Sequence, residues 1–315
     1  MASTYNIEPK KDEQAVPAAE SAKKIKWGVI VPTVLITGAV ISAAVFGVIK
    51  LQEHNEDVAI TKTWDEFKSV ADNTSDTTSE TEASDTLDRG QMVSSDPMKR
   101  EINWTYVLAV NPDVKCWIYI PETAIDYPVM QPEKWADNQY YLNHDVYKKS
   151  SSAGSIYMPA EVEGFEDRDV HQIIIGHNMR NGSMFSDLLK YKEKGFWEVT
   201  PYVYLYYPDR TEKWMIYSPF HTTQSDEIYD MPYEAGTVLY KALLDHVESK
   251  KLYDTATNGP AVSAPLLTLT TCDRTSSEGS NGRFVVNAKL AETSVINDGS
   301  STSGQTTMTD ESEVE

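Results

Sequence analysis

Apolar and aromatic residues become dense between positions 97 and 292, where they fall into short runs separated by clusters of Gly, Pro, Asn and Asp. Runs of this length, rich in Val, Ile, Thr, Tyr and Phe, are the pattern of β-strands. Eight are legible: 115–120, 125–130, 154–158, 171–176, 202–207, 213–218, 266–271 and 283–290. Pro208-Asp209-Arg210 is a turn signal, so 202–218 is predicted to be a hairpin. Helical patterns are fewer, at 97–110, 183–191 and 233–249, and the last puts Leu239, Ala242, Leu243 and His246 on one face. The prediction is one mostly β domain, an eight-stranded barrel with peripheral helices and no internal repeat.

The pattern changes completely on either side. Residues 27–49 form an uncharged run of 23, against the ~20 that a helix needs to cross a bilayer. Pro32 lies near its start, where a membrane helix tolerates it. Lys23, Lys24 and Lys26 precede the run, whereas Glu53, Glu56 and Asp57 follow it, so the positive flank is expected on the cytoplasmic side. The predicted order is a cytoplasmic tail (1–26), a single transmembrane anchor (27–49), an extracellular stalk and linker (50–96), the globular domain (97–292) and an acidic disordered tail (293–315). Within the linker, 51–71 suits a helical stalk, while 72–96 lacks the apolar content to fold alone. A cleaved signal peptide is the alternative, because Ser42-Ala43-Ala44 loosely resembles a small-residue cleavage site.

Charge and cysteine content narrow the function classes. The 315 residues carry a formal net charge of −20, with much of the excess acid in the two low-complexity segments. Nucleic acid is thereby a poor partner, since phosphate binding needs clustered Lys and Arg. Two cysteines, Cys116 and Cys272, make no disulfide framework. Metal-ligand spacings are absent from the sequence, and no cofactor is implied.

Cys272 closes the run 266–271 and opens a polar loop, so a strand end displays it. A small buried hydrophobe is the competing reading of any lone cysteine. A catalytic thiol needs a proton partner, and His177 ends another strand, between Gly176 and Asn178. Arg283 opens the strand after the cysteine loop and offers a permanent charge for an oxyanion, or an ordinary surface ion pair. Cys116, beside Trp117, reads as core.

The segment Thr268-Leu269-Thr270-Thr271-Cys272, with Arg283 eleven residues beyond in Gly-Arg-Phe-Val-Val, resembles the TLxTC…R signature of sortases. Trp117-Ile118-Tyr119-Ile120-Pro121, Ile125-Asp126-Tyr127-Pro128-Val129, Tyr140-Tyr141-Leu142, Ala153-Gly154-Ser155-Ile156 and Gly176-His177-Asn178-Met179 follow in the family's order and resemble class B in particular. The resemblance implies a sortase-like barrel and a cysteine transpeptidase. Its clients are secreted proteins with a C-terminal sorting motif of the LPxTG or NPxTN kind, and its acceptor is an amino group of a cell-wall precursor or of a pilin subunit. By matching position, Cys272 is the nucleophile, His177 the acid and base, Arg283 the oxyanion stabiliser, and Thr271 a substrate-contacting residue. Arg274 stands where some class B members carry an acid two places after the cysteine, so no catalytic Asp is carried over to Asp273. A cysteine protease releasing its acyl group to water, and a non-enzymatic surface binding module, are the alternatives.

Overall fold

A computed structural model of the protein describes residues 27–72, 96–133, 137–160, 170–230 and 232–296, with the backbone alone over 27–40. The chain divides into two compact units, Met1–Asn55 and Glu56–Glu315. The expected cytoplasmic tail, most of the expected 72–96 linker and the part of the expected acidic tail beyond 296 lie outside the described residues. Helix α1 runs Trp27–Ala71. The side chains of the first part of the expected anchor, 27–40, are likewise outside the described set. Among the described residues, no helix is long and apolar enough to cross a membrane.

All eight predicted runs form strands: β1 Val114–Tyr119, β2 Asp126–Met130, β3 Ile156–Tyr157, β4 His171–Ile175, β5 Tyr202–Tyr206, β6 Arg210–Thr223, β7 Leu266–Cys272 and β8 Gly282–Val295. They close a barrel in the order β1-β2-β3-β4-β7-β8-β6-β5. The expected β5–β6 hairpin is present, with Tyr202 opposite Met215 and Tyr206 opposite Thr211. Strands β6 and β8 are longer than their apolar runs. They pair from Arg210 opposite Val295 to Thr223 opposite Gly282, so β8 passes three residues beyond the expected domain end at 292. Residues Ala291 to Val295 are solvent-exposed, and backbone pairing rather than an apolar face extends the strand there.

The interior is filled by Trp117, Ile118, Val129, Ile174, Trp214, Leu267, Leu269 and Phe284, all essentially inaccessible. Cys116 is fully buried among them, and burial pushes its thiol well above the usual range, as expected of a core residue. A second cluster forms where α4 (Val238–Ser249) packs on the outside of β6, β7 and β8 through Tyr240, Leu243 and Val247 against Tyr217, Phe220, Leu266 and Val285. The helix is rotated from the predicted phase: Leu239 is 73% exposed, and Tyr240 faces inward with its hydroxyl donating to the Ala264 carbonyl at 2.8 Å. It also begins later than 233, at the Thr237 cap, whose hydroxyl accepts from the Tyr240 N–H.

Two other helical expectations are revised. The 97–110 segment is a short 3-10 turn, Pro97–Lys99, followed by α2, Trp104–Val110. Arg100 interrupts them in an extended conformation, its guanidinium held by Asp126 at 2.7 Å and Asp72 at 2.7 Å. The 183–191 segment is a 3-10 helix over Ser186–Lys192, and α3, Lys194–Val199, follows it.

The 56–71 part of α1 belongs to the barrel unit rather than to a separate stalk. Trp64, Phe67 and Ala71 recur at helical spacing and are buried, with the Phe67 ring stacked on Trp117 at 6.0 Å and the Trp64 ring edge-on to Tyr127 at 5.5 Å. Truncating a buried Phe to Ala costs about 3–5 kcal/mol. Phe67→Ala is therefore expected to lower the urea midpoint of the barrel clearly, and a fragment starting at 97 to be less stable than one starting at 56. Equal midpoints would mean that this helix adds nothing to the fold.

Candidate functional site

Three strands set the geometry. β4 and β7 are parallel neighbours, from His171 opposite Leu266 to Ile175 opposite Thr270, so their C-terminal ends lie at the same end of the barrel. β8 returns antiparallel to β7, and its first residues come back to that end, with Arg283 directly opposite Cys272. Continuing the β4–β7 register by two residues brings His177 level with Cys272. Strand pairing thus gathers residues 95 and 11 positions away from the cysteine.

The junction after β4 is tightly held. The Gly176 N–H donates to the Thr270 carbonyl at 3.1 Å, and the Thr271 hydroxyl donates to the Gly176 carbonyl at 2.8 Å. A Cβ on Gly176 would lie 2.4 Å from the Ile156 side chain and 2.7 Å from the Phe185 ring, so only glycine permits this approach. The Asn178 amide then donates to the Cys272 carbonyl at 2.9 Å, tying the histidine loop to the cysteine backbone.

The half-buried His177 ring has its Nε2 at 2.8 Å from the Leu142 carbonyl. A carbonyl can only accept, so Nε2 carries the hydrogen and Nδ1 is the nitrogen left to exchange a proton. Leu142 is a firm partner: its 3-10 turn, Tyr140–Leu142, is anchored by the buried Tyr141, whose hydroxyl accepts from Asn111 at 3.0 Å.

Cys272 is half-buried and free, while Thr271 is 2% exposed with its hydroxyl committed to Gly176. In this arrangement Thr271 acts as a strap between β7 and the histidine loop. Arg283 donates from Nη1 to the Ser280 and Gly282 carbonyls, both at 3.0 Å, and from Nη2 to the Gln224 side-chain oxygen at 3.2 Å. All three acceptors are neutral, and among the described residues Arg283 forms no ion pair. Its charge is therefore available to a developing anion.

A half-buried thiol, an imidazole with one committed nitrogen and an unneutralised guanidinium at one sheet end make up an acyl-transfer constellation. A family model described as a Sortase domain matches residues 118–291, more than half of the chain. The chain belongs to the sortase family. It is 34% identical over 183 residues to Sortase B of Listeria monocytogenes, covering 58% of this chain and 71% of that protein. The solved Sortase B of Clostridium perfringens superposes with a TM-score of 0.54 at 31% identity, over 59% of this chain and 98% of the other. A Staphylococcus aureus sortase B–substrate complex gives a TM-score of 0.53 at 27% identity, over 59% and 83%.

Several residues of this sortase site carried no signal in the sequence. Tyr229, in the 3-10 turn Glu227–Tyr229, bonds the Thr270 hydroxyl at 2.7 Å, and Tyr157 ends β3 nearby. Burial pushes both phenols up to about 12. No periodicity marks them. Asn178 could have been found from its place directly after His177.

Asp273, next to the cysteine, is fully buried and structural in its contacts. Its carboxylate accepts from Lys192 at 3.0 Å, His221 Nδ1 at 2.9 Å and the Thr275 hydroxyl at 2.7 Å. Its N–H donates to the Gly282 carbonyl at 2.9 Å. A Cβ on Gly282 would lie 2.6 Å from the Asp273 carbonyl oxygen, so the loop closes only over glycine.

Burial by itself would raise the Asp273 pKa, but the hydrogen bonds from Thr275 and Lys192 outweigh it and hold the carboxyl at about 2, below its ordinary 3.8. A depressed carboxylate stabilises the fold above its unfolded pKa and loses that contribution as pH falls through its folded one. Asp273 is thus expected to add on the order of 1–2 kcal/mol above pH ~4, lost between about pH 4 and pH 2. Asp273→Asn should unfold at lower urea at neutral pH, with the gap to wild type narrowing below pH 4. A gap independent of pH would show that the charge of Asp273 contributes nothing.

Proposed function

We propose that this sortase is a membrane-anchored cysteine transpeptidase acting outside the cell, with Cys272 as nucleophile, His177 as acid and base and Arg283 as oxyanion stabiliser. The observation that carries the reading is the strand register that sets Cys272 opposite Arg283, with the Asn178 amide tying the His177 loop to the Cys272 carbonyl. The Cys272 thiolate attacks the carbonyl of the motif's Thr, and the oxyanion forms against Arg283. The C–N bond breaks as Nδ1 of protonated His177 gives its proton to the leaving amine, which leaves a thioester on Cys272. An incoming amine gives its proton to neutral His177, forms the new amide and releases the thiolate. Each proton taken is returned, so the cycle needs no cofactor.

The clients are proteins bearing a C-terminal sorting motif, by analogy with the substrate bound in the S. aureus sortase B complex. A cell-wall precursor amine is the proposed acceptor, with anchoring of a restricted set of clients by class analogy, and a pilin lysine is the competing acceptor. Incubating the protein with NPxTN and LPxTG peptides plus a glycine or diaminopimelate-like amine should give cleavage after Thr with transfer to the amine. Cys272→Ala should abolish it, and Arg283→Ala should lower kcat about 100-fold. Cleavage to the free acid despite abundant amine would instead indicate a protease, and activity retained in Cys272→Ala would exclude a thioester.

The anchor rests on the uncharged run 27–49 with Lys23, Lys24 and Lys26 before it. In intact cells, added protease should digest the 56–296 region while the enzyme stays with the membrane fraction after an alkaline wash. Protection from protease would contradict an external catalytic domain.

A further inference from the structure

Arg283 is aimed by a residue from a different part of the barrel, the segment that follows β6. We propose, building on the sortase reading above, that Gln224 is the positioning residue of Arg283 and orients that arginine without neutralising it.

Gln224 bridges the guanidinium and the loop that delivers it. Its Oε1 accepts from Arg283 Nη2 at 3.2 Å, its Nε2 donates to Asn281 Oδ1 at 3.2 Å, and its backbone N–H donates to the Asn281 carbonyl at 3.1 Å. The amide can sit only one way round, because a guanidinium has no acceptor and so demands the oxygen. With Nη1 held by the Ser280 and Gly282 carbonyls, the fork is fixed at both terminal nitrogens, and Nε–H and the second Nη2 hydrogen remain unassigned. Gln224 is exposed, so water competes for each bond, and what the three bonds together supply is direction.

The segment itself is firmly seated. Two residues on, the buried Asp226 carboxylate gathers the Thr222 hydroxyl, the Ile228 N–H at 2.9 Å, His246 Nε2 at 2.8 Å and Lys250 Nζ at 2.6 Å. His246 and Lys250 come from α4 and its end, so the helix outside the barrel holds the Gln224 segment in place.

The chemistry explains why a neutral amide suits this position. A carboxylate at the same place would also hold Arg283, but as an ion pair that competes with the oxyanion for its charge. It would also lose the bond donated to Asn281. An arginine kept for transition-state charge is better served by acceptors that orient without neutralising.

The test compares Gln224→Glu with the uncharged, similarly sized Gln224→Met in the full chain, using the peptide and amine that wild type transfers best. Gln224→Glu is expected to lower kcat about 10- to 100-fold with KM changed less than about 3-fold, and Gln224→Met to lose clearly less. Both variants should unfold within a few degrees of wild type. Equal losses in the two variants, or a loss carried entirely by KM, would overturn the proposal. A second arm needs no substrate: NMR of 15N-arginine should show hindered rotation about the Arg283 Cζ–Nη bonds in wild type and faster rotation in Gln224→Met. Free rotation in wild type would overturn the positioning role even in an active enzyme. Hindered rotation in a protein that transfers no peptide would support the positioning and count against the transpeptidase reading alone.

Discussion

The parallel pairing of β4 with β7 is the constraint on which the rest of the site depends. It pairs two strands 95 residues apart in sequence up to Ile175 opposite Thr270, and the antiparallel return of β8 sets Arg283 opposite Cys272 two residues further on. Pairing of this kind is strongly specified, because a slip of one residue would turn Leu267 and Leu269 out of the core. A buried polar chain reinforces it on the other face. His171 donates to the Thr268 hydroxyl at 2.9 Å, Thr268 to Asn287 at 2.7 Å, Asn287 to the Ser218 carbonyl at 2.8 Å, and Ser218 to the Val247 carbonyl at 2.8 Å. Burial holds His171 neutral, pushing its pKa down to about 3, so this chain links four strands and α4 without a buried charge.

Electrostatics around the proposed nucleophile follow a division of labour. The negative charge next to Cys272, on Asp273, is consumed by Lys192, His221 and Thr275, whereas the positive charge opposite Cys272, on Arg283, meets only neutral oxygens among the described residues. A developing oxyanion at Cys272 would therefore meet an available cation and an already satisfied carboxylate. The committed Nε2 of His177 adds direction, leaving one nitrogen for proton exchange.

Much of this was legible in the sequence. Strand cores such as 171–176 and 266–271 are dense in Ile, Leu and Thr, and their ends displayed His177 and Cys272 before any pairing was known. Family resemblance then joined the two with Arg283. What escaped lacked a periodic signal or was masked by a neighbouring one. The far end of β8 pairs with β6 through exposed residues such as Glu292 and Ser294. The buried face of α1, Trp64, Phe67 and Ala71, sits in the otherwise polar part of that helix after residue 50, beside a low-complexity linker, and so it read as stalk. In α4, Leu239 and Tyr240 offered two adjacent phases, and the tyrosine won because its hydroxyl finds a carbonyl inside. Gln224 and Tyr229 act through partners far away in the chain, which only the folded structure brings together.

Direct observation of the acyl-enzyme is the most decisive measurement. Intact-mass spectrometry of the protein mixed with excess sorting-motif peptide, without amine, should reveal an adduct equal to the peptide through its Thr. The adduct should map to Cys272, be released by hydroxylamine and be absent from Cys272→Ala. Turnover of the peptide with no such adduct at any time, or an adduct that persists in Cys272→Ala, would contradict a thioester on Cys272.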